Sequence, residues 1–289
     1  MVELYQNITI TIVIYQENLT TISNCLKNLI NFKIIIIDNA GDKKLREEII
    51  KNFTIYKYIV NNRNIGFSKA TNQAINLCDT EFILNLQADC KILITNISIL
   101  YESLKKYKNC IIVAPTFYDN KNNLTYNGGP FPEKKIQIRT LKLEGDTCVD
   151  IITTAAILFK KKDLVEIGLF DEDFFIYFPD FEIGRRIKKL KKSIIQIYKA
   201  KAIHEMGFLK IKNPIKKTFF RNYYYTLDEL IYYHKENKFN DTYLKLKKKI
   251  VLLIFKCLFN LIIFKFIKST ECFSRVLAFY NFKKKYISN

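Results

Sequence analysis

Lys33-Ile-Ile-Ile-Ile-Asp38 is an unbroken apolar run of strand length that ends in a carboxylate. A short β-branched run of this kind is typical of a strand that is buried on both faces of a sheet. Ile8–Tyr15 before it and Glu81–Leu86 after it have the same character. Because stretches with helical spacing separate these runs, their order predicts β-α-β units and a parallel, doubly wound sheet.

The same pattern extends along the chain to about residue 200. Further strands are predicted at Thr54–Val60, Cys110–Pro115, 151–160 and Ile194–Tyr198, and helices at 19–30, 43–51, Ser68–Leu77, 95–107, Lys161–Ile167 and Glu182–Leu190. Residues 116–148 are rich in loop-forming residues, and from about residue 213 the pattern is helical and cationic. The sequence therefore predicts an α/β fold with a mostly parallel sheet and a basic helical C-terminal extension.

Charge separates the two parts of the chain. The net charge is +19, and residues 210–289 carry 18 Lys and Arg against 5 Asp and Glu. The sequence thus predicts two domains, residues 1–210 and 211–289, with the excess positive charge on the second. A polyanionic partner is expected to bind there.

Residues 246–268 are more hydrophobic than an ordinary surface helix, but Lys256, Asn260 and Lys265 interrupt them. No uninterrupted apolar span long enough to cross a bilayer results. The pattern favours an interfacial helix on an anionic membrane surface. A helix packed on the catalytic part, or a homodimer contact through the C-terminal helices, is the alternative interpretation.

Cysteine usage and the N-terminus indicate the compartment. The seven cysteines are scattered without CxxC spacing, and their odd number does not suit a complete disulfide framework. The first strand-like run has no basic segment before it, so a secretory signal is not expected. These features predict a reduced, cytoplasmic protein.

Polar residues follow the predicted strands where ligands bind in such sheets. Asp38-Asn39-Ala40 ends one strand, and Leu84-Asn-Leu-Gln87-Ala88-Asp89 ends another. Ligands of open α/β sheets gather beyond the carboxyl ends of the strands, so both carboxylates are candidate site residues.

Three segments resemble motifs of glycosyltransferase family 2, in particular of its rhamnosyltransferase-like branch. The first is Ile-Ile-Ile-Asp38-Asn39-Ala40, and the second is Asn64-Ile-Gly66-Phe67-Ser-Lys-Ala-Thr-Asn72 together with the turn at Asp89. The third is Gly168-Leu-Phe-Asp171-Glu172-Asp-Phe-Phe-Ile-Tyr-Phe-Pro179-Asp180-Phe-Glu182, which His204 follows. The resemblance covers residues 8–208 and implies a GT-A fold and a sugar-nucleotide donor.

The resemblance implies a role for each matching residue. The sugar-nucleotide residues are Asp38, Asn39, Asn64, Gly66 and Asp89. Tyr15, which ends the first strand, is expected either to stack on the base or to pack at the strand end. Asp89 and His204 would hold Mg²⁺ or Mn²⁺ against the diphosphate, although Gln87 stands where many relatives have a second acid. A neutral amide would weaken the hold on the metal.

Asp180 is the predicted catalytic base of an inverting transfer, because a helix is predicted just after it and a helix N-terminus favours the ionised carboxylate. Glu182 is the alternative base. Pro179 replaces the glutamate that the family has before this aspartate, so acceptor binding is the weak point of the resemblance.

The resemblance also implies a deoxythymidine-linked deoxysugar as donor and a saccharide acceptor, which a polyprenyl carrier at the inner face of the cell membrane could hold. A nucleic-acid-binding protein is the main rival class, but the chain has no motif of that kind and its three candidate aspartates would repel phosphate. A catalytically impaired family member that acts as a scaffold is a further alternative.

Overall fold

The computed structural model of the protein describes residues 2–125, 128–131, 143–205, 211–236 and 239–287, and at 239–242 only the backbone. The chain divides into two compact units. The first comprises Met1–Asp171 and Asp180–Phe208, and the second comprises Glu172–Pro179 and Leu209–Asn289. The predicted domain boundary at residue 210 lies outside the described residues and stays a prediction.

The first unit alternates strands and helices, as the sequence predicts. Its strands are β1 (Ile8–Ile14), β2 (Lys33–Asp38), β3 (Lys57–Val60), β4 (Phe82–Gln87), β5 (Cys90–Ile92), β6 (Cys110–Tyr118), β7 (Thr147–Val149), β8 (Ala156–Lys160) and β9 (Ser193–His204). Its helices are α1 (Val2–Asn7), α2 (Leu19–Leu26), α3 (Lys43–Asn52), α4 (Phe67–Leu77), α5 (Ile94–Lys106), α6 (Lys161–Glu166) and α7 (Pro179–Lys189). The short helix α1 and the short strands β5 and β7 are absent from the sequence prediction.

The described strands form one sheet in the order β3-β2-β1-β4-β8-β6-β9-β5, and β7 pairs with β9. The sheet is parallel from β3 to β4. Beyond β4 it is mixed, because β8 is antiparallel to both β4 and β6 whereas β6 is parallel to β9. The α/β class is confirmed, but parallel pairing is less extensive than predicted. A short apolar run looks the same in either direction, so the pattern could not reveal the reversal.

The sheet supplies the core of this unit. Ile8, Ile10 and Ile12 of β1 are fully buried, and so are Ile35 and Ile36 of β2. Strands at the centre of such a sheet are covered on both faces, which is why their sequences are continuously apolar. Each of these side chains contributes about 1.5–3 kcal/mol by leaving water.

The second unit contains α8 (Pro214–Lys235), α9 (Phe239–Ile262) and α10 (Phe266–Tyr286). α10 packs against both other helices. The helical extension is confirmed, but residues 246–268 do not form a single helix. The chain turns at Phe264, whose φ is 56°, and the N–H of Lys265 donates to the carbonyl of Asn260. Within the described residues, no helix is both long and apolar enough to cross a membrane.

Candidate functional site

The predicted nucleotide residues lie at one edge of the sheet. Ile14 of β1 pairs with Asp38 of β2, and Val13 pairs with Gln87 of β4. The three parallel strands therefore end side by side, and Tyr15, Asn39 and Asp89 follow them directly. Tyr15 is half-buried, and its hydroxyl lies 3.4 Å from the side-chain amide of Gln16.

Asp38 is fully buried, and its carboxylate is already engaged within the protein. Oδ1 accepts the main-chain N–H groups of Ala40 (2.8 Å) and Gly41 (2.9 Å), and Oδ2 accepts the Tyr58 hydroxyl (3.0 Å). Burial, and next the charge of Asp38, raise the pKa of Tyr58 well above its usual value, so this hydroxyl remains a donor. Asp38 thus shapes the turn after β2.

Asn39 and Asn64 connect this turn to the start of α4. The side-chain amide of Asn39 donates to the carbonyl of Gly66 (3.2 Å) and accepts from Asn61 (2.9 Å). Asn64 accepts the N–H of Gly66 (2.9 Å). Gly66 has φ 89° and ψ 168°, a conformation open almost only to glycine. The structure therefore brings Asp38, Asn39, Asn64 and Gly66 into one hydrogen-bonded group.

Asp89 and His204 meet across the sheet. β5 pairs antiparallel with β9, which places Cys90 opposite His204. The Nε2 atom of His204 lies 3.4 Å from Oδ1 of Asp89, and the two side chains are 12% and 11% exposed. A main-chain hydrogen bond also joins the two segments, because the N–H of Glu205 donates to the carbonyl of Asp89 (3.1 Å). Two potential metal ligands distant in sequence thus lie side by side.

The pair offers one carboxylate oxygen and one imidazole nitrogen. Among the described residues no group of three or more His, Cys, Asp and Glu side chains could hold a metal. A carboxylate and an imidazole together would fit Mn²⁺ better than Mg²⁺, and the remaining ligands would have to come from outside the pair. Burial raises the pKa of the neighbouring Cys25 and Cys90 thiols well above their ordinary value.

Asp180 lies in the first turn of α7, not before the helix as the sequence predicts. Pro179 is the first helical residue, a position that proline favours because its missing N–H has no partner there. The Asp180 carboxylate accepts its own main-chain N–H and that of Phe181. Burial outweighs these bonds and raises its pKa to about 6. A carboxylate with this pKa is a stronger base than an ordinary aspartate and is still ionised at neutral pH.

Glu182, the alternative base, is held in an ion pair. Arg186 donates from Nε to Oε1 (2.9 Å) and from Nη2 to Oε2 (2.6 Å). The same guanidinium donates to the carbonyls of Ile167 and Leu169. An ion pair stabilises the charged carboxylate and opposes proton uptake. This geometry favours Asp180 over Glu182 as a proton acceptor.

Close packing holds α7 in place. A Cβ atom on Gly184 would lie 2.2 Å from the main-chain oxygen of Asp150, so only glycine permits this approach. Lys188 of the same helix forms an ion pair with the Asp150 carboxylate at 2.8 Å. The helix that carries Asp180 is therefore tied to the body of the first unit on the face of Gly184 and Lys188.

Asn72 is a residue whose role sequence reasoning missed. It lies in α4 and is buried, and its amide makes two bonds to the main chain of Phe170, donating to the carbonyl (2.8 Å) and accepting the N–H (3.0 Å). It therefore links the second and third motifs. A polar residue on the buried face of a helix was the available signal, because such a group needs a specific partner.

A solved structure has a similar fold. The structure of GalNAc-T7 with UDP, GalNAc and Mn²⁺ superimposes with a TM-score of 0.55 at 17% sequence identity. The match covers 69% of this chain and 44% of that chain, so the present chain spans less than half the length of that protein. At this identity the likeness concerns the fold, and it confirms the predicted GT-A architecture.

The sequence has no match among the curated proteins. A protein-family model, described as glycosyl transferase family 2, matches residues 9–164. The matched segment includes Asp38, Asn39, Asn64, Gly66 and Asp89 and ends before Asp180 and His204. The rhamnosyltransferase-like branch is not distinguished by this match. Because the match covers more than half of the sequence, the chain belongs to glycosyl transferase family 2.

Proposed function

We propose that the protein transfers a sugar from a nucleotide-diphosphate donor to a saccharide acceptor with inversion at the anomeric carbon. The observation that carries this proposal is the pairing of Asp89 with His204 at the edge where the parallel strands end. Ligands of such sheets bind at this edge. The two side chains provide one oxygen ligand and one nitrogen ligand, and these two atoms lie 3.4 Å apart. Family membership supports the reaction class.

The nucleotide would bind beside this pair. Tyr15 would stack on the base and Asn64 would contact the sugar or phosphate, as half-buried residues that can reach a ligand. Asp38 and Asn39 are buried, so they would act chiefly through the main chain of the turns they hold. Their side chains fix the segment after β2 and the start of α4 before the donor arrives, which lowers the entropy cost of binding.

Asp89 and His204 would hold Mn²⁺ or Mg²⁺ beside the donor diphosphate. A cation bound there supplies positive charge against the charge that builds on the leaving diphosphate. Asp89 contributes the hard oxygen ligand, and His204 contributes a nitrogen that suits Mn²⁺. Pairing with β9 limits the freedom of both side chains, so the ligands need little rearrangement.

Asp180 would take the acceptor proton. As the acceptor oxygen forms its bond to the anomeric carbon, its proton moves to the Asp180 carboxylate. The bond to the diphosphate breaks, and the diphosphate leaves with the electron pair. With a pKa of about 6, about ten carboxylates are ionised for each protonated one at pH 7. The corresponding single-displacement geometry is that of an inverting glycosidase with an alcohol in place of water.

The acceptor is proposed to be lipid-linked, because the second unit exposes an apolar surface on helices that also carry exposed lysines. Phe255, Phe259, Ile262 and Phe264 at the junction of α9 and α10 are each more than 60% exposed. We call this surface the α9–α10 corner. Exposed lysines also occur between residues 245 and 268, namely Lys245, Lys247, Lys248, Lys249, Lys256, Lys265 and Lys268. Exposed apolar side chains on helices that also carry lysines suit an anionic leaflet.

Membrane binding would place the protein peripherally on the inner face of the cell membrane. There it would act in the assembly of a polyprenyl-linked glycan, as in bacterial surface polysaccharide. The same corner could instead bind a second copy of the chain. Sedimentation with anionic and neutral vesicles separates the two, since a homodimer buries the corner and does not respond to lipid charge.

A donor screen tests the proposed function. The protein is incubated with a panel of sugar nucleotides and Mn²⁺, and release of the nucleoside diphosphate is measured with and without saccharide acceptors. The resemblance to the rhamnosyltransferase-like branch places deoxythymidine-linked deoxysugars first in the panel. Binding of donors without turnover, in a folded protein and with every acceptor, would favour the scaffold alternative.

A further inference from the structure

The segment Glu172–Pro179 belongs to the helical second unit, although the chain before and after it belongs to the first. Asp228 of α8 is fully buried beneath this segment. Its carboxylate accepts three consecutive main-chain N–H groups, those of Phe175 (3.1 Å), Ile176 (3.0 Å) and Tyr177 (2.8 Å). Burial raises its pKa to about 7, against the opposing effect of these bonds. One side chain thus fixes the backbone of three residues.

A second carboxylate holds the start of the same segment. Asp173 lies 2.7 Å from the ammonium of Lys235 and 3.0 Å from that of Lys285. Burial acts to raise the pKa of Asp173, but the bonds to Lys235 and Lys285 outweigh it and hold the pKa at about 2. The two lysines come from α8 and α10, so two helices of the unit hold the segment through Asp173.

Aromatic packing fixes the end of the segment. Phe175 stacks on Tyr224 with ring centroids 3.7 Å apart. Phe178 has a φ of 67°, which is unusual for an aromatic residue, and its ring packs on Tyr225 and Tyr232 at 5.5 and 5.4 Å. Such a conformation persists only where surrounding contacts determine it. Pro179 and Asp180 follow directly in the chain.

We propose that Asp228 is a positioning residue for the transfer reaction, acting through the 175–177 backbone on the segment that leads into Asp180. This inference rests on the proposed function. Three hydrogen bonds to the Asp228 carboxyl group hold the backbone at Phe175–Tyr177, and the left-handed Phe178 then directs the chain into the first turn of α7. Asp228 touches no reacting atom in this account.

Replacement of Asp228 by asparagine tests the proposal. The side chain keeps its shape, but one acceptor oxygen becomes an amide N–H₂ that faces a main-chain donor. Glu229→Gln is the matched control, because it neutralises the next carboxylate of the same helix, which faces Arg275 and makes no bond to this segment in the described structure. Asp173→Asn is a second variant, which loosens the same segment from a more exposed position and leaves the buried site intact.

Amide hydrogen exchange provides the direct measurement, and turnover provides the functional one. In Asp228→Asn we expect exchange at Phe175–Tyr177 to accelerate at least tenfold, while the amides of α4 stay protected. Turnover should fall about tenfold to a hundredfold, and donor affinity should stay unchanged. This combination is expected when a change disturbs only the relative positions of the reacting groups. Asp173→Asn should show a smaller effect in the same direction, and Glu229→Gln should resemble the parent.

The outcomes separate the two proposals. Faster exchange with parental turnover would overturn the positioning role and leave Asp228 as a structural residue. Unchanged exchange at the three amides would overturn the inference that Asp228 holds this part of the backbone. A parent without transfer or donor hydrolysis would instead contradict the proposed function, and the exchange result would still report whether Asp228 holds the segment.

Discussion

Asp180→Asn removes the proposed base while preserving the size of the side chain. Asparagine keeps one side-chain oxygen that can accept the main-chain N–H groups of the first turn, so α7 should keep its first turn. The raised pKa of Asp180 means that the folded state disfavours its charge at neutral pH, and stability linked to this group increases as pH falls through about 6. The neutral variant should therefore be at least as stable as the parent at pH 7.

The magnitude of the effect follows from the role of a general base and from the pKa. Loss of such a base costs about a hundredfold or more in turnover. In the parent, kcat/KM should increase with pH and level off above about 6, so that at pH 5 it lies about tenfold below the plateau. An ordinary aspartate would be almost fully ionised at pH 5, and the rate would then fall by less than about a tenth.

The assay is nucleoside diphosphate release in the presence of acceptor, measured from pH 5 to 8, with donor affinity measured by calorimetry. Asp180→Asn should lose the pH-dependent increase and retain donor affinity. Glu182→Gln is the control. It breaks the ion pair with Arg186, so its melting temperature should fall while the pH profile keeps its shape. Parental turnover in Asp180→Asn, or loss of the pH profile in Glu182→Gln, would refute the assignment of the base.

Three further predictions concern other parts of the molecule. Asp89→Ala should abolish Mn²⁺-dependent binding of nucleoside diphosphate in calorimetry; parental affinity would contradict the metal assignment. Phe255→Ser combined with Phe259→Ser should weaken binding to anionic vesicles at least a hundredfold, since each exposed phenylalanine can contribute about 1.5–3 kcal/mol on burial in lipid; vesicle sedimentation unaffected by both changes would exclude the α9–α10 corner. Asn72→Ala should destabilise the fold by about 2–4 kcal/mol, because it leaves two main-chain groups of Phe170 unpaired. Thermal unfolding beside the exposed control Asn76→Ala tests this, and equal destabilisation by both would contradict it.

The sequence was most informative where periodicity and burial coincide. β2 was predicted at its observed bounds, and α3, α4 and α5 within one residue of theirs. Strand direction was not predictable in the same way. β8 returns antiparallel beside β4, and nothing in an apolar run records which neighbour it will have. The short β5 also depends on its partner β9, because its three residues pair with residues that lie far later in the chain.

In the candidate site, too, the identities of residues were predictable from the sequence, and their contacts with distant residues were not. Asp89 and His204 were predicted as partners from a resemblance, and only long-range pairing of β5 with β9 brings them to 3.4 Å. For Asp38 the residue was identified, but its engagement with Ala40, Gly41 and Tyr58 depends on the turn geometry. Its contribution to nucleotide binding stays a prediction.

Asp228 was missed altogether. It follows Thr-Leu in α8 and stands beside a second carboxylate, Glu229, and nothing in the sequence assigns a partner to it. Its three partners are main-chain N–H groups about fifty residues earlier, which no side-chain motif records. Backbone partners of this kind become visible only once the segment is folded.

Release of nucleoside diphosphate from a sugar nucleotide tests the central claim most directly. Parent protein, Asp89→Ala and His204→Ala are compared with Mn²⁺ and after chelation. The account predicts that the parent releases diphosphate, that chelation abolishes the release, and that both variants fall at least a hundredfold while remaining folded. Release that persists after chelation and in both variants would contradict the role of the Asp89–His204 pair. A folded parent that neither binds nor cleaves any sugar nucleotide would contradict the proposed glycosyl transfer.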